Sequence, residues 1–192
     1  VVQEVMRLPD MSYLKNYKPV DSITIYDKND KPIETIEQGM PRTVIAYKDI
    51  PKVMVEALLA AEDKHYFEHH GVSPLGIMRA TFVNIKSLHM REGGSTITQQ
   101  LAKNLFFMDV KRTAVIKLAE TVAAYKIEER FSKEEIMSLY LTEIYFGSGA
   151  RGIEQASRVY FGKTTNQLDL QEAAFLAGII RSPSYLGSPK HR

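Results

Sequence analysis

The order of hydrophobic and polar positions divides the chain into two parts near residue 50. Between residues 22 and 36, β-prone runs alternate on both sides of the turn segment Lys28-Asn29-Asp30-Lys31-Pro32, which predicts a β-hairpin. From Pro51 onward apolar residues recur every three or four positions, which is typical of helices that bury one face. The pattern therefore predicts a linker and β-hairpin arm over residues 1–50 and a helical domain over residues 51–192.

Capping residues indicate where the helices of the second part begin and end. The first predicted helix begins at Pro51, runs through Phe67 and is stopped by Gly71. Ser73 before Pro74 is a typical N-cap of a second helix. Two later helix starts have the capping-box spacing, namely Ser132 with Glu135 and Asp169 with Glu172. The sequence thus predicts a mainly α fold.

Composition and charge limit the classes of function. The 192 residues, 44% of them hydrophobic, are enough for one globular domain with a core. A net charge of +2 argues against nucleic acid as a partner. Because cysteine is absent, disulfides, thiolate zinc sites and a cysteine nucleophile are excluded. No stretch approaches the roughly 20 apolar residues of a membrane span. Because the chain begins with Val and not with Met, we expect it to be a trimmed piece, and the missing span does not argue against a membrane anchor in the whole protein.

The segment EDKHYFEHHG, residues 62–71, concentrates groups that bind ligands or move protons. Glu62 ends an apolar helical pattern, and Leu58, Ala61 and His65 lie three or four positions from it or from one another. A carboxylate beside an apolar stripe loses hydration. We therefore expect the pKa of Glu62 to be raised toward the range that suits a general base. The alternative is a solvated glutamate at a helix end.

The same segment contains a second pattern, His65-x-x-Glu68-His69. On a helix these two histidines would share one face, which suits zinc and occurs in zinc peptidases. A third ligand would have to come from another part of the chain. A zinc metallopeptidase is therefore an alternative function.

Glu120 is the second candidate carboxylate. Lys117 is its neighbour on a predicted helix over residues 112–130, and nearby positive charge keeps a carboxylate ionised. If Glu62 and Glu120 meet across a cleft, their different environments would separate proton transfer from charge stabilisation, as in sugar chemistry. The alternative is a surface ion pair.

The segment GGSTITQQLAKN, residues 93–104, predicts a glycine-rich turn that leads into a helix. Ser95 and Thr96 can cap this helix, and free N–H groups at a helix start favour phosphate. Lys103 and Arg112 would then hold a pyrophosphate. The order of a P-loop is absent, and the alternative is an ordinary capped helix with a solvated lysine.

Five stretches, in this order, resemble the glycosyltransferase domain of class A penicillin-binding proteins, the family 51 peptidoglycan glycosyltransferases. They are AAEDKHYFEHHG, GGSTITQQLAKN, IKLAE, FSKEEIMSLYLTEIYFG and RGIEQASRVYFGK. The second matches its family motif almost letter for letter. The segment LPDMSYLKNYKPVDSITIYDKNDKPI, residues 8–33, resembles the linker that follows the membrane anchor in bifunctional members. The chain departs from the family at Ile116, where Arg is usual, and at Thr142, where Asn is usual.

This resemblance implies a mainly α, lysozyme-like domain of two lobes around a cleft, with the small N-terminal β-hairpin arm. It implies lipid II as substrate, a disaccharide-pentapeptide on undecaprenyl pyrophosphate, which is joined to a nascent glycan strand with inversion. It also implies the extracytoplasmic face of a bacterial cell membrane, no organic cofactor, and a transpeptidase domain after this one in bifunctional members. A domain that only binds lipid II is a further alternative. Because the last helices expected for the family would lie beyond Arg192, we expect the domain to be truncated at its C-terminal end.

The resemblance also assigns roles to residues of this chain. Glu62 would be the general base on the acceptor 4-hydroxyl. Glu120 would assist at the pyrophosphate, with a divalent cation (Mg or Mn) as an option there. Lys103, Arg112 and Lys117 would stabilise the leaving pyrophosphate. Other residues that would contact substrate in the cleft are Asp63, His69, Arg79, Ser95, Thr96, Gln100 and Asn104.

Residues 72–92 form a span that is apolar enough to touch lipid. Its apolar members are Leu75, Ile77, Met78, Phe82, Val83 and Ile85. The alternative is a helix that faces the core, and core packing of this span would exclude contact with lipid.

Overall fold

A computed structural model describes residues 11–19, 22–37, 42–87, 93–108 and 110–188. Within these ranges the chain is mainly α-helical and has one two-stranded antiparallel sheet, which confirms the predicted fold class. The helices are α1 (Lys52–Glu62), α2 (Pro74–Ser87), α3 (Ile97–Phe106), α4 (Ala114–Glu128), α5 (Lys133–Glu143), α6 (Ile153–Phe161), α7 (Leu170–Ile180) and α8 (Pro183–Leu186). Short 3-10 helices cover Met11–Asn16, Tyr47–Asp49 and Thr165–Gln167.

The predicted hairpin is confirmed. Strand β1 (Ser22–Tyr26) pairs antiparallel with β2 (Pro32–Glu37). The Asp27 carboxylate accepts hydrogen bonds from the backbone N–H groups of Lys31 at 2.9 Å and Asn29 at 2.7 Å. These bonds, the one from Lys31 first, lower the pKa of the Asp27 carboxyl. An aspartate that accepts bonds from the following backbone in this way stabilises a tight turn.

The core forms around α3, which lies between α4 and α5, while α1 packs on α7. Helix α3 buries Ile97, Leu101 and Ala102 and leaves Lys103 exposed on its other side. Burial of each large aliphatic side chain stabilises the fold by about 1.5–3 kcal/mol. The packing therefore holds α3 in a fixed position relative to α4 and α5.

The predicted capping residues are confirmed. Ser132 and Asp169 each cap a helix in a reciprocal box with the glutamate three residues later. The Ser73 hydroxyl accepts a hydrogen bond from the Gly76 N–H at 3.0 Å, at the start of α2. Each cap satisfies backbone N–H groups that have no partner within the helix.

One predicted helix is too long. Helix α1 ends at Glu62 instead of continuing through Phe67, because Asp63 leaves the helical conformation at φ −155° and ψ 77°. Residues 64–68 form turns. His65 therefore does not share a helix face with Glu62, which corrects the prediction from the sequence.

Helix α2 exposes its apolar side chains. Leu75, Ile77, Met78 and Phe82 are 66, 44, 68 and 69% exposed, so the alternative of a helix that faces the core is wrong for these four. The side chains of Val83 and Ile85, and residues 88–92, lie outside the described part of the chain. None of the helices in the described ranges combines the length and the hydropathy needed to cross a membrane.

Two glycines allow the C-terminal turn to approach the loop after α5. A Cβ atom on Gly147, whose φ is +83°, would stand 2.3 Å from the Pro183 carbonyl oxygen. A Cβ atom on Gly187 would stand 2.5 Å from the Tyr160 hydroxyl oxygen. Because a Cβ atom does not approach a non-bonded oxygen atom so closely, the two positions require glycine.

Candidate active site

A polar cavity of about 580 Å³ lies between the C-terminal ends of α1 and α7 and the outer edges of α3 and α4. Both candidate carboxylates, Glu62 and Glu120, line it. The other polar side chains of its wall are Arg79, Ser95, Gln99, Gln100, Lys103, Arg112, Lys117 and Arg181. A wall that carries charges of both signs fits a ligand that is itself polar and charged.

Glu62 is half-buried at the last position of α1. Its Oε2 atom accepts a hydrogen bond from Gln100 Nε2 at 2.6 Å. Burial raises the pKa of the Glu62 carboxyl, while the Gln100 hydrogen bond and the charge of Arg181 lower it by smaller amounts. The net direction is upward, as the sequence predicted. A carboxylate whose pKa is raised by burial is suited to accept a proton.

Glu120 lies on α4 and is 3% exposed. Lys117 Nζ donates to Glu120 Oε2 at 2.8 Å and to the Ser95 hydroxyl at 2.9 Å. The alternative of a surface ion pair is therefore wrong for Glu120, which is a buried part of the cavity wall. The arrangement holds the Lys117 ammonium group between two acceptors at the cavity wall.

Basic side chains reach the cavity from several elements. Arg79 comes from α2, Lys103 from α3, Arg112 from the segment before α4, and Arg181 from the end of α7. An anionic group that enters the cavity would meet positive charge on several sides. Lys103 and Arg112 were predicted to hold an anion, and the structure places both on this wall.

Backbone N–H groups at the start of α3 donate hydrogen bonds to side chains of the protein itself. The Ile97 N–H donates to Asp63 Oδ2 at 3.1 Å, and the Gln99 N–H donates to the Thr96 hydroxyl at 3.2 Å. These two N–H groups are not available to a ligand. The predicted use of this helix start for phosphate is therefore wrong for them, and capping by Thr96 is confirmed.

Asp63, His69 and Thr96 join the turn after α1 to the start of α3. His69 Nε2 donates to the Asp63 carboxylate at 2.9 Å, and the Thr96 hydroxyl donates to the Gly71 carbonyl at 2.6 Å. Asp63 and Thr96 border a small recess of about 20 Å³ beside the main cavity. Among the described residues, the main cavity wall does not include Asp63, His69, Thr96 or Asn104. Their contact with substrate stays a prediction.

The turn that follows Glu62 is also anchored at Tyr66, which is fully buried. The Tyr66 hydroxyl donates to the Lys133 carbonyl at 2.7 Å, and Lys133 Nζ lies 4.4 Å from the Tyr66 ring centroid. Lys133 Nζ also donates to Glu128 Oε1 at 2.7 Å. These contacts fix the turn against α4 and α5 and so restrain the end of α1.

The zinc pattern has the wrong geometry. His65 Nδ1 bonds to Glu68 Oε2 at 2.9 Å, whereas His69 pairs with Asp63. Both histidines lie outside α1, so they do not form the helical pair that the zinc-peptidase alternative requires. In the part of the chain that the structure describes, no three His, Asp or Glu side chains are grouped to hold a metal ion.

Arg181 and Tyr140 are among the residues of the site that were not predicted from the sequence. Arg181 follows α7 and lines the cavity close enough to Glu62 to influence its pKa. Tyr140, on α5, donates from its hydroxyl to Gln100 Oε1 at 3.0 Å. Neither residue belongs to a local pattern of polar side chains, so only the packing of distant helices reveals them.

The chain is similar to known proteins over most of its length. Residues 29–192 match the model of the family described as Transglycosylase. The chain is 43% identical over 178 residues to penicillin-binding protein 1A of Aquifex aeolicus. This match covers 92% of the chain and 24% of that protein. It is 43% identical over 179 residues to penicillin-binding protein 1A of Escherichia coli, covering 93% of the chain and 21% of that protein. The namesake protein of Rickettsia prowazekii is 39% identical over 188 residues, covering 96% of the chain and 24% of that protein. The chain thus spans a quarter or less of the length of these relatives.

Proposed function

The chain belongs to the Transglycosylase family, and on this premise we propose that it is a peptidoglycan glycosyltransferase domain that polymerises lipid II. The observation that carries the proposal is the cavity itself. It places a half-buried carboxylate with a raised pKa, Glu62, on the same wall as the basic side chains of Lys103, Arg112 and Lys117. A transfer that releases a pyrophosphate needs a base at one end and positive charge at the other.

The transfer would begin at Glu62. Its carboxylate removes the proton from the 4-hydroxyl of the acceptor sugar, and the acceptor oxygen forms a bond to the anomeric carbon of the donor. On the opposite side of that carbon, the bond to the pyrophosphate oxygen breaks. The electron pair of this bond leaves with undecaprenyl pyrophosphate, so the configuration of the anomeric carbon inverts.

The departing pyrophosphate would lie near the basic edge of the cavity. Lys117 is held between Ser95 and Glu120, so its ammonium group is already oriented before a substrate binds. Charges that are fixed in advance stabilise a developing anion more effectively than mobile ones. Lys103 and Arg112 are exposed on the same wall and would complete this anion site.

A divalent cation would be part of this site only together with the substrate. Glu120 already binds Lys117, and among the described residues it has no neighbouring cluster of ligands for a metal ion. Mg²⁺ is commonly held by one or two carboxylates plus substrate phosphates. We therefore propose that a cation such as Mg²⁺ or Mn²⁺ would be shared between Glu120 and the pyrophosphate. Comparing turnover with EDTA and with added Mg²⁺ tests this.

The exposed apolar face of α2 would lie against the bacterial membrane, on the extracytoplasmic side where lipid II is presented. Four large apolar side chains on one helix form a patch that favours a lipid surface. Replacing Met78 and Phe82 by serine should weaken sedimentation with vesicles that contain anionic lipid. Leu170→Ser is the matched control, because Leu170 is 63% exposed at the start of α7. Equal weakening by both variants would contradict the proposal.

The relatives are much longer than the region that this chain matches, which bears on the domains of the full-length protein. Because this chain covers only 24% and 21% of two of them, most of each relative lies outside the matched region. Their name, penicillin-binding protein 1A, fits a further domain that reacts with penicillin. We propose that the full-length protein carries such a transpeptidase domain, which would cross-link the strands made here.

Polymerisation of purified lipid II in detergent tests the proposed function. We expect polymer from the wild-type protein and none from Glu62→Gln. Polymer from both proteins would show that Glu62 is not the base. No polymer from a folded wild-type protein that still binds lipid II would favour the alternative of a binding domain without catalysis.

A further inference from the structure

Tyr140 forms a hydrogen-bonded chain that runs from the core to Glu62. Its side chain lies on α5 and is 0% exposed. The Tyr140 hydroxyl donates to Gln100 Oε1 at 3.0 Å, and Gln100 Nε2 donates to Glu62 Oε2 at 2.6 Å. Gln100 therefore connects a residue of the core with a carboxylate on the cavity wall.

The orientation of the Gln100 amide decides whether its NH₂ group or its carbonyl oxygen faces the Glu62 carboxylate. A glutamine amide has an acceptor end and a donor end, and rotation about its last side-chain bond exchanges them. An ionised carboxylate only accepts hydrogen bonds, so it is stabilised by the NH₂ end and repelled by the carbonyl end. Burial raises the pKa of the Tyr140 hydroxyl well above its ordinary value, so this hydroxyl keeps its proton and remains a donor for the carbonyl end.

On the premise that Glu62 is the base of the proposed function, we propose that Tyr140 is a positioning residue for Glu62. Its hydroxyl holds the Gln100 amide with the NH₂ group toward Glu62 Oε2. This bond fixes the plane of the Glu62 carboxylate and leaves Oε1 available to the acceptor hydroxyl. Tyr140 thus acts on the reaction through Gln100 and does not touch the substrate.

Other charged groups also act on Glu62. Arg181, at the end of α7, favours the ionised form of Glu62, and Asp63, in the turn after α1, opposes it. The remaining charged groups of the cavity wall are Arg79 from α2, Lys103 from α3, Arg112 before α4, and the Lys117–Glu120 pair of α4. All of these groups are retained when Tyr140 loses only its hydroxyl. A Tyr140→Phe variant therefore isolates the hydrogen-bonded chain.

The pH dependence of lipid II polymerisation by Tyr140→Phe is the first measurement. Without the Tyr140 hydroxyl, the Gln100 amide is less firmly oriented and its bond to Glu62 is weakened. We expect the acid limb of the kcat profile to move to higher pH, because the ionised base then forms only at higher pH. At a pH on that limb, kcat should fall about three- to tenfold. The KM for lipid II should change less, because the hydroxyl makes no contact with substrate.

Tyr160→Phe is the matched control. The Tyr160 hydroxyl donates to the Phe146 carbonyl at 2.7 Å, away from the cavity wall. This variant also loses a tyrosine hydrogen bond, but its acid limb should coincide with that of the wild type. Gln100→Leu should move the limb at least as far as Tyr140→Phe, and the double variant should move it no further than Gln100→Leu. An unchanged limb in Tyr140→Phe, an equal shift in Tyr160→Phe, or additive shifts in the double variant would each overturn the proposal.

A second measurement separates this proposal from the proposed function. In protein labelled with ¹³C at glutamate carboxyl groups, the Glu62 signal can be assigned by its loss in Glu62→Gln and then titrated without lipid II. A higher pKa of Glu62 in Tyr140→Phe supports the positioning role, even if no polymer forms and the proposed function fails. An unchanged pKa overturns the positioning role, even if the wild-type protein polymerises lipid II.

Discussion

Glu62 and Glu120 line the same cavity, yet the protein holds the two carboxylates in different ways. Glu62 ends α1, is half-buried, and accepts its hydrogen bond from the neutral amide of Gln100. Glu120 lies within α4, is almost fully buried, and accepts its hydrogen bond from the ammonium group of Lys117. Burial beside a neutral donor favours the protonated form, whereas a bonded ammonium group offsets the loss of hydration.

The comparison shows that two side chains of the same type have different surroundings because their hydrogen-bond partners differ. Glu62 is suited to exchange a proton with the substrate. Glu120 is suited to hold Lys117 in place. Each of the following predictions would break or sharpen this division, and they run from the largest expected effect to the smallest.

Removing the proton acceptor should have the largest effect. We expect Glu62→Gln to lower kcat for lipid II polymerisation by about 10²- to 10⁴-fold, because a glutamine amide cannot act as a base at neutral pH. Glu56→Gln, on the same helix, is the control, since Glu56 is an exposed partner of Lys52. Turnover of labelled lipid II measures both variants. A similar loss in Glu56→Gln would show that the effect is not specific to the cavity.

Glu120→Gln should have a smaller effect on kcat. The amide oxygen of a glutamine can still accept the hydrogen bond from Lys117, but it no longer carries the charge that holds the ammonium group firmly. We expect a loss of about tenfold in the same turnover assay. If this loss equalled that of Glu62→Gln, the proposed division between proton acceptor and charge anchor would be wrong.

The dependence of activity on pH should distinguish the two carboxylates. Burial raises the pKa of Glu62, so its ionised form is present above that raised value and is lost as the pH falls through it. We expect the acid limb of the kcat profile to follow Glu62. Glu120→Gln should lower the height of the profile and leave its acid limb in place. Profiles of the two proteins in one set of buffers test this, and a displaced limb in Glu120→Gln would contradict it.

The Glu62→Gln and Glu120→Gln variants should change the thermal stability of the protein in opposite directions. Because the folded-state pKa of Glu62 is raised, its ionisation costs stability at pH values above the unfolded-state pKa, and Glu62→Gln removes this cost at neutral pH. We expect its Tm to rise by about 1 to 4 °C. Glu120→Gln weakens a buried ion pair and should lower Tm by about 2 to 6 °C. Calorimetry at pH 7 measures both, and shifts in the same direction would contradict the comparison.

Structure that depends on neighbouring residues was predictable from the sequence. The capping boxes at Ser132 and Asp169 each involve a glutamate three residues later, so a short window contains the whole interaction. The hairpin is equally local, because its turn is stabilised within a few residues of Asp27. Such elements are specified before any tertiary contact forms.

The end of α1 could not be placed from a short window. The helical pattern continues past Glu62, but Asp63 is drawn out of the helix by bonds to His69 and to the N–H of Ile97, which follows 34 residues later. Tyr140 was missed for a similar reason, since it lies 40 residues from its partner Gln100. Motif spacing pointed to the two carboxylates and to Lys103, Arg112 and Lys117. It did not identify the contacts that orient them.

The approach of Gly147 to Gly187 has a consequence for mutational maps of this protein. Any side chain at either position would force apart the loop after α5 and the turn after α8. That turn follows Arg181, which lines the cavity, by only a few residues. A screen of random substitutions would therefore mark both glycines as intolerant, close in sequence to a residue of the cavity wall. A map of tolerated substitutions would therefore mark the cavity wall together with the contact between Gly147 and Gly187. Loss of function alone would not distinguish a residue of the cavity wall from a residue of this contact.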